Sequence, residues 1–182
     1  SALVRRGEER RLYYIGWNQS VGVPFRNSIG LAVQQTPNGD YIRHSDGPIL
    51  DRGPNDPYFV ASHDVIVEGA SWHIWYLSGL DWLPGDPPGS TYNLRYAVSA
   101  DGINWQSHGT VAVDFAHPYE IAIARPCVIK DGDLWRMWFC YRGTKFNYRL
   151  GYAESHDAIQ WTRQDKLAGL ATSERGWDSD MV

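Results

Sequence analysis

The residues able to do chemistry in this 182-residue chain are few and unevenly placed. Glu120 opens the apolar run Ile121-Ala122-Ile123-Ala124, where a carboxylate is costly unless it is paired or open to water. Asp56 precedes Pro57 in a Gly/Pro/Asn-rich approach, and Asp178 and Asp180 precede Met181. Arg125 stands between Ala124 and Pro126, and its planar fork suits a carboxylate, a phosphate or a pair of hydroxyls. His63-Asp64 forms an adjacent pair of proton-carrying groups. Nine Trp and eleven Tyr surround them, a loading that serves either to pack sheets with large rings or to stack on sugar faces. Each candidate also has a structural role open to it. Asp56 suits a turn that caps local amides, Glu120 and Arg125 suit an ion pair, and the aromatics suit a core.

What must position these residues is a repeat. Ser71-Trp72-His73-Ile74-Trp75-Tyr76 returns sixty-three residues later as Leu134-Trp135-Arg136-Met137-Trp138-Phe139. The preceding runs match at the same offset, Val65-Ile66-Val67-Glu68-Gly69 against Val128-Ile129-Lys130-Asp131-Gly132. A second pair, Tyr96-Ala97-Val98-Ser99-Ala100-Asp101-Gly102-Ile103-Asn104-Trp105 and Tyr152-Ala153-Glu154-Ser155-His156-Asp157-Ala158-Ile159-Gln160-Trp161, recurs after fifty-six. A fainter copy begins at Leu31-Ala32-Val33. A period near 60 residues with four short strands is that of a β-propeller blade with generous loops. In the Ser-x-Asp-x-Ile-x-Trp unit the Ser and Asp side chains bind nearby amides and hold a tight turn, which makes it a structural signal.

The predicted fold class is therefore all-β, a propeller of four-stranded antiparallel blades, with about three blades present. Residues 1–182 form a single partial propeller domain. Blades are expected over roughly 10–50, 55–114 and 118–166, with the start of a further one at 177–182. Both faces of Trp72–Leu77 are largely apolar, as in a strand sandwiched between neighbouring blades. No 3.6-residue period persists, so helices are expected to be absent or short. Trp72, Trp75, Trp105, Trp135, Trp138 and Trp161 occupy repeated positions and are expected between blades. Trp17, Trp82, Tyr119 and Trp177 are expected near the loops of the central funnel. Cys127 and Cys140 are expected as buried free thiols. Three blades do not close a ring, so a piece of a longer propeller is expected, and a complete chain of this length would require a homo-oligomer.

Composition excludes several partners. A net charge of −4 gives no electrostatic attraction to nucleic acid or to an anionic membrane. No apolar run approaches the roughly 20 residues that span a bilayer. The charged stretch Ser1–Arg11 is unlike a secretory leader, which favours a cytoplasmic location. The six His residues lack metal-ligand spacing; no cofactor is expected, although a propeller axis can hold a structural cation.

Three runs carry a resemblance: Glu120-Ile121-Ala122-Ile123-Ala124-Arg125-Pro126, Tyr148-Arg149-Leu150-Gly151-Tyr152-Ala153-Glu154-Ser155, and Gly176-Trp177-Asp178-Ser179-Asp180-Met181-Val182. Through them the chain resembles the bacterial five-bladed glycoside-hydrolase-like propellers, the superfamily of families 32, 43, 68 and 130, in an uncharacterised branch. That resemblance implies a carbohydrate or sugar derivative as partner and carboxylates at the inner-strand entries as catalysts: Asp56, Glu120 and Asp178 or Asp180. One protonated carboxyl would aid the leaving group while an ionised one works opposite it. Arg125, His63, Asp64, Trp17, Trp82, Tyr119 and Trp177 would bind substrate. Two further readings stand beside glycoside cleavage: a carbohydrate or sugar-nucleotide binding module without the acid pair, and a scaffold for protein partners. A six-bladed sialidase would need an arginine cluster, for which Arg125 and Arg142 offer no third member by spacing.

Overall fold

A computed structural model describes residues 1–182. The first blade contains β1 (Ala2–Arg6), β2 (Glu9–Asn18), β3 (Arg26–Gln34) and β4 (Ile42–Arg43). The second contains β5 (Val60–Glu68), β6 (Ser71–Leu83), β7 (Gly89–Ser99) and β8 (Val111–Val113). The third contains β9 (Glu120–Asp131), β10 (Leu134–Gly143), β11 (Arg149–Ser155) and β12 (Thr162–Arg163). Within each blade successive strands pair antiparallel, and the first strand of each lies beside that of the next, β5 between β1 and β9. The only helical element is a single 3-10 turn at Asp165–Leu167. The all-β partial propeller expected from the repeat is the observed fold. The first sheet begins at Ala2 rather than near residue 10, because Ala2 and Val4 alternate with outward Leu3 and Arg5 and pair with Tyr13 and Arg11.

Two apolar seams hold the blades together. Tyr13, Ile29, Leu31, Val60, Trp72, Ile74 and Tyr76 fill the seam between the first and second blades. Phe59, Trp75, Leu77, Leu94, Ile123, Met137 and Phe139 fill the one between the second and third. Alternation along β6 sends Trp72, Ile74 and Tyr76 to one seam and Trp75 and Leu77 to the other, which is why both faces of the strand are apolar. Trp72, Trp75 and Trp135 are buried and Trp105 and Trp161 half-buried beside the seams, whereas Trp138, expected between blades, alternates to the opposite face of its strand and packs on Tyr152.

The Ser-x-Asp turns form as their side chains dictate. Ser99 Oγ accepts the Gly102 amide at 2.9 Å, and Asp101 Oδ1 accepts those of Ile103 and Asn104 at 2.8 Å each. These amides hold the Asp101 carboxyl well below the usual carboxylate range. Asp157 repeats the pattern with Ile159 and Gln160, at 2.9 and 2.7 Å.

The two thiols depart from expectation. Cys127 is exposed and Cys140 half-buried. Cys127 lies opposite Trp138, and both sit on the face of the third sheet turned away from the second blade.

Candidate functional site

Antiparallel pairing brings one set of loops to a common end. The start of β5 meets the end of β6 and the start of β7, and the start of β9 meets the end of β10 and the start of β11. The four candidate carboxylates, Trp17, Trp82 and Tyr119 all lie at or near the ends of strands that open on this entry face. Asp56 and Glu120 have separate sets of partners.

Asp56 belongs to the first seam. The residue is 3% exposed, with Oδ2 accepting from Tyr76 Oη at 3.1 Å and from Ser107 Oγ at 3.3 Å. Arg95 Nη1 lies 3.7 Å from Oδ1 and donates to the carbonyl of Asn55. Oδ1 has no hydrogen-bond partner. Burial and the Asp56 charge together push the Tyr76 hydroxyl's pKa far up, so it stays a donor.

Glu120 belongs to the second seam. Its side chain is 1% exposed and is gripped by Arg163 through two bonds, Nη1 to Oε2 at 2.7 Å and Nη2 to Oε1 at 3.3 Å. The Ala116 amide donates to Oε2 at 2.9 Å. Arg163 also reaches Asp165 at 2.5 Å and stacks over Phe139 and Tyr141. Burial works against its charge, but Asp165 and Glu120 outweigh that and raise its pKa. The two acids hold corresponding places: Ser107 and Arg163 are fifty-six residues apart, Tyr76 and Phe139 sixty-three, the two repeat offsets. Each is an anchor for the crossover into an inner strand. The sequence-level pairing of Glu120 with Arg125 is replaced by Arg163, which arrives from β12.

The remaining candidates divide by access to solvent. His63 is buried against the Tyr13 ring, its Nδ1 donating to the Ala61 carbonyl at 3.1 Å, and burial pushes its pKa down to about 4. Asp64 accepts the amides of Val65 and Val128 at 2.9 and 2.7 Å, so it ties β5 to β9; burial raises its pKa against those bonds. Both are seam residues. Asp180 is exposed, Asp178 partly so, and Trp177 is fully open, while the Asp180 carbonyl accepts from Arg149 at 2.7 Å. Tyr119 lies parallel to His117 and edge-on to Phe146.

The entry face carries a continuous band of rings. Trp17, 67% exposed, stacks on Phe25 at 5.3 Å. Phe25 meets Phe59 and Trp82 at 5.2 and 5.0 Å, and Phe59 meets Tyr92 at 6.3 Å. The Tyr92 and Tyr148 hydroxyls are 2.8 Å apart, with Arg142 over both rings. The band thus runs from the first blade to the third and joins Trp17 with Trp82. Sequence reasoning missed Phe25, Tyr92, Tyr148 and the part played by Arg142. Their signal was the aromatic residue that follows each loop between second and third strands. No three His, Cys, Asp or Glu side chains converge tightly enough to hold a metal ion.

No family model matches the sequence. Two uncharacterised proteins of Mycobacterium tuberculosis, from strains CDC 1551 and H37Rv, are 38% and 37% identical over 181 residues. The chain spans 59% of the length of each. Among solved structures, a thermostable family-43 glycoside hydrolase superposes with a TM-score of 0.71 at 15% identity, over 94% of this chain and 55% of that one. A Bombyx mori GH32 β-fructofuranosidase superposes at 0.71 and 14%, over 90% and 36%. A family-117 glycoside hydrolase of Zobellia galactanivorans gives 0.71 and 12%, over 95% and 56%. The chain therefore shares the β-propeller fold of these solved structures.

Proposed function

We propose that this chain is the carbohydrate-binding part of a glycoside-hydrolase-like propeller, and that it takes its sugar on the entry face. The observation that carries this reading is the band of rings from Trp17 to Tyr148, exposed at one end and bordered by arginine at the other. Flat aromatic faces match the C–H faces of pyranose rings, and hydroxyls and guanidinium groups at their edge supply the polar contacts. In this reading Asp56 and Glu120 serve as anchors of the blade crossovers. Calorimetry with an oligosaccharide panel tests it. Trp17→Ala is expected to weaken binding about tenfold without lowering the melting temperature, since one exposed stacking ring is lost. A chain that binds no oligosaccharide, or a Trp17→Ala variant that binds like the parent, would end the proposal.

Glycoside cleavage is the second reading, favoured by Asp178 and Asp180 standing open on this face and by the unpartnered Oδ1 of Asp56. It requires two carboxyls to face one glycosidic bond. Reducing-sugar release compared among the parent, Asp56→Asn, Glu120→Gln and Asp180→Asn tests it, and equal rates in all four would dismiss these acids as catalysts.

A further inference from the structure

Arg125 has a backbone that L-residues avoid. Its φ is +54°, in the left-handed region, within an inner strand. Pairing between β9 and β10 slips there, from Cys127 opposite Trp138 to Ala124 opposite Cys140. The Ser62 hydroxyl holds the Arg125 amide at 3.0 Å. Such a conformation persists only where its surroundings enforce it, and it recurs where a side chain must be aimed. Here Arg125 lines a cavity of about 280 Å³ together with Ala124, Cys140 and Tyr148. Its guanidinium makes neither an ion pair nor a hydrogen bond within the protein.

Arg142 reaches the same tyrosine. It lies 5.7 Å from the Tyr148 ring and 6.0 Å from that of Tyr92, and its Nε donates to the Tyr148 hydroxyl at 3.4 Å. Neither terminal nitrogen has a protein acceptor. Burial disfavours its charge, but the two tyrosines outweigh burial and keep it cationic. Lys145 and Arg149 extend the basic surface over Tyr119 and Phe146. None of these four cations is among the ion pairs of the molecule, which engage Arg11, Arg26, Arg95, Lys130, Arg136 and Arg163. A protein with a net charge of −4 thus gathers four basic side chains at one corner of its entry face, none of them in an ion pair, although Asp180 lies close by through its carbonyl bond to Arg149. Arg125 is exposed and Arg142 half-buried, and neither guanidinium has an anionic partner within the protein, so both are free to take one from outside.

We infer that Arg125, in the cavity it shares with Tyr148, and Arg142, bonded to the Tyr148 hydroxyl, form an anion subsite at the third-blade end of the aromatic band, and that the sugar bound there carries an acidic substituent. This rests on the carbohydrate reading and narrows it to acidic sugars. A carboxylate and a phosphate share the required chemistry, a compact anion that a guanidinium fork can grip by two bonds.

Calorimetry on the chain with glucose, glucuronate and glucose 6-phosphate tests the inference, at low salt and at about 0.5 M NaCl. At low salt at least one charged sugar should bind about tenfold tighter than glucose, and the advantage should collapse in high salt. A preference for glucuronate assigns the anion as a carboxylate, and a preference for glucose 6-phosphate as a phosphate. Arg142→Gln and Arg125→Gly should each abolish the advantage. Arg125→Gly also relieves the left-handed backbone, so its melting temperature should not fall, and loss of selectivity there cannot be ascribed to unfolding. Equal binding of charged and neutral sugars, or full selectivity in Arg125→Gly, overturns the inference. Neutral oligosaccharides bound through Trp17 with no gain for charged sugars would remove the anion subsite and leave the carbohydrate reading standing. No sugar bound at all would remove both.

Discussion

The two seams meet the same problem, a carboxylate buried where the chain crosses into a new inner strand, and they solve it differently. In the second seam Glu120 is neutralised by the Arg163 fork, which also binds Asp165 and lies over Phe139 and Tyr141. In the first seam Asp56 leans on two neutral hydroxyls, with Arg95 at the looser distance of 3.7 Å. Polar atoms of Asn27, Ser78, Asn93 and His63 there are also buried without partners. A seam closed by one strong ion pair concentrates its polar stability in a single contact. A seam closed by several weak polar contacts spreads it and leaves unsatisfied groups behind.

The largest expected effect is at the concentrated contact. Arg163→Ala leaves Glu120 ionised and unpaired in the second seam, and should cost about 3–5 kcal/mol in urea unfolding. Adding Glu120→Gln to that variant should recover part of the loss. If Arg163→Ala costs less than 1 kcal/mol, the contrast between the seams is wrong.

Next comes pH. The folded pKa of His63 is about 4 against an ordinary 6.5, so between these values the unfolded chain binds a proton that the folded chain refuses. Stability should therefore be unaffected by His63 above pH 6.5 and fall as pH drops toward 4, by about 3 kcal/mol in all. His63→Gln should flatten that part of the curve relative to the parent. The difference isolates the first seam, because His73, half-buried at the second, is shifted in the same direction and remains in both proteins.

The smallest effect distinguishes the turns beneath the seams. Gly102 and Ala158 hold equivalent left-handed positions, with φ of +72° and +68°. A Cβ at Gly102 would lie 2.7 Å from the Trp72 ring and the Tyr13 hydroxyl, so Gly102→Ala should cost about 2 kcal/mol by thermal melting. Ala158→Gly relaxes the backbone but loses a buried methyl and frees the unfolded chain, and should stay within about 1 kcal/mol of the parent. Equal costs at both sites would deny that the first seam is the tighter one at this end.

Much of this was readable from the chain before any coordinates. The offsets of sixty-three and fifty-six announced a repeated four-stranded unit, because such units must repeat their apolar alternation to be sandwiched. The Ser and Asp side chains predicted their own turns, because those hydrogen bonds are local. What escaped were contacts between residues far apart in sequence. Glu120 finds Arg163 forty-three positions away, on a two-residue strand that has almost no signature of its own. Tyr148 looked like part of a strand motif, and only the third dimension brings Arg125 and Arg142 around it. The N-terminal strand was hidden by its arginines, since Ala2 and Val4 are a faint inward stripe.

One feature of the second sheet bears on how the molecule would yield to force. The hairpin of β6 and β7 reaches over the seam, and a single parallel pair, Tyr92 with Ala122 of β9, joins the second blade to the third through the backbone. The first blade has no such stitch; rings and side-chain bonds such as Tyr13 to the Gly102 carbonyl fasten it. Pulled from its two ends, the chain would shed its first blade like an unclipped page, while the other two come away as one sheet.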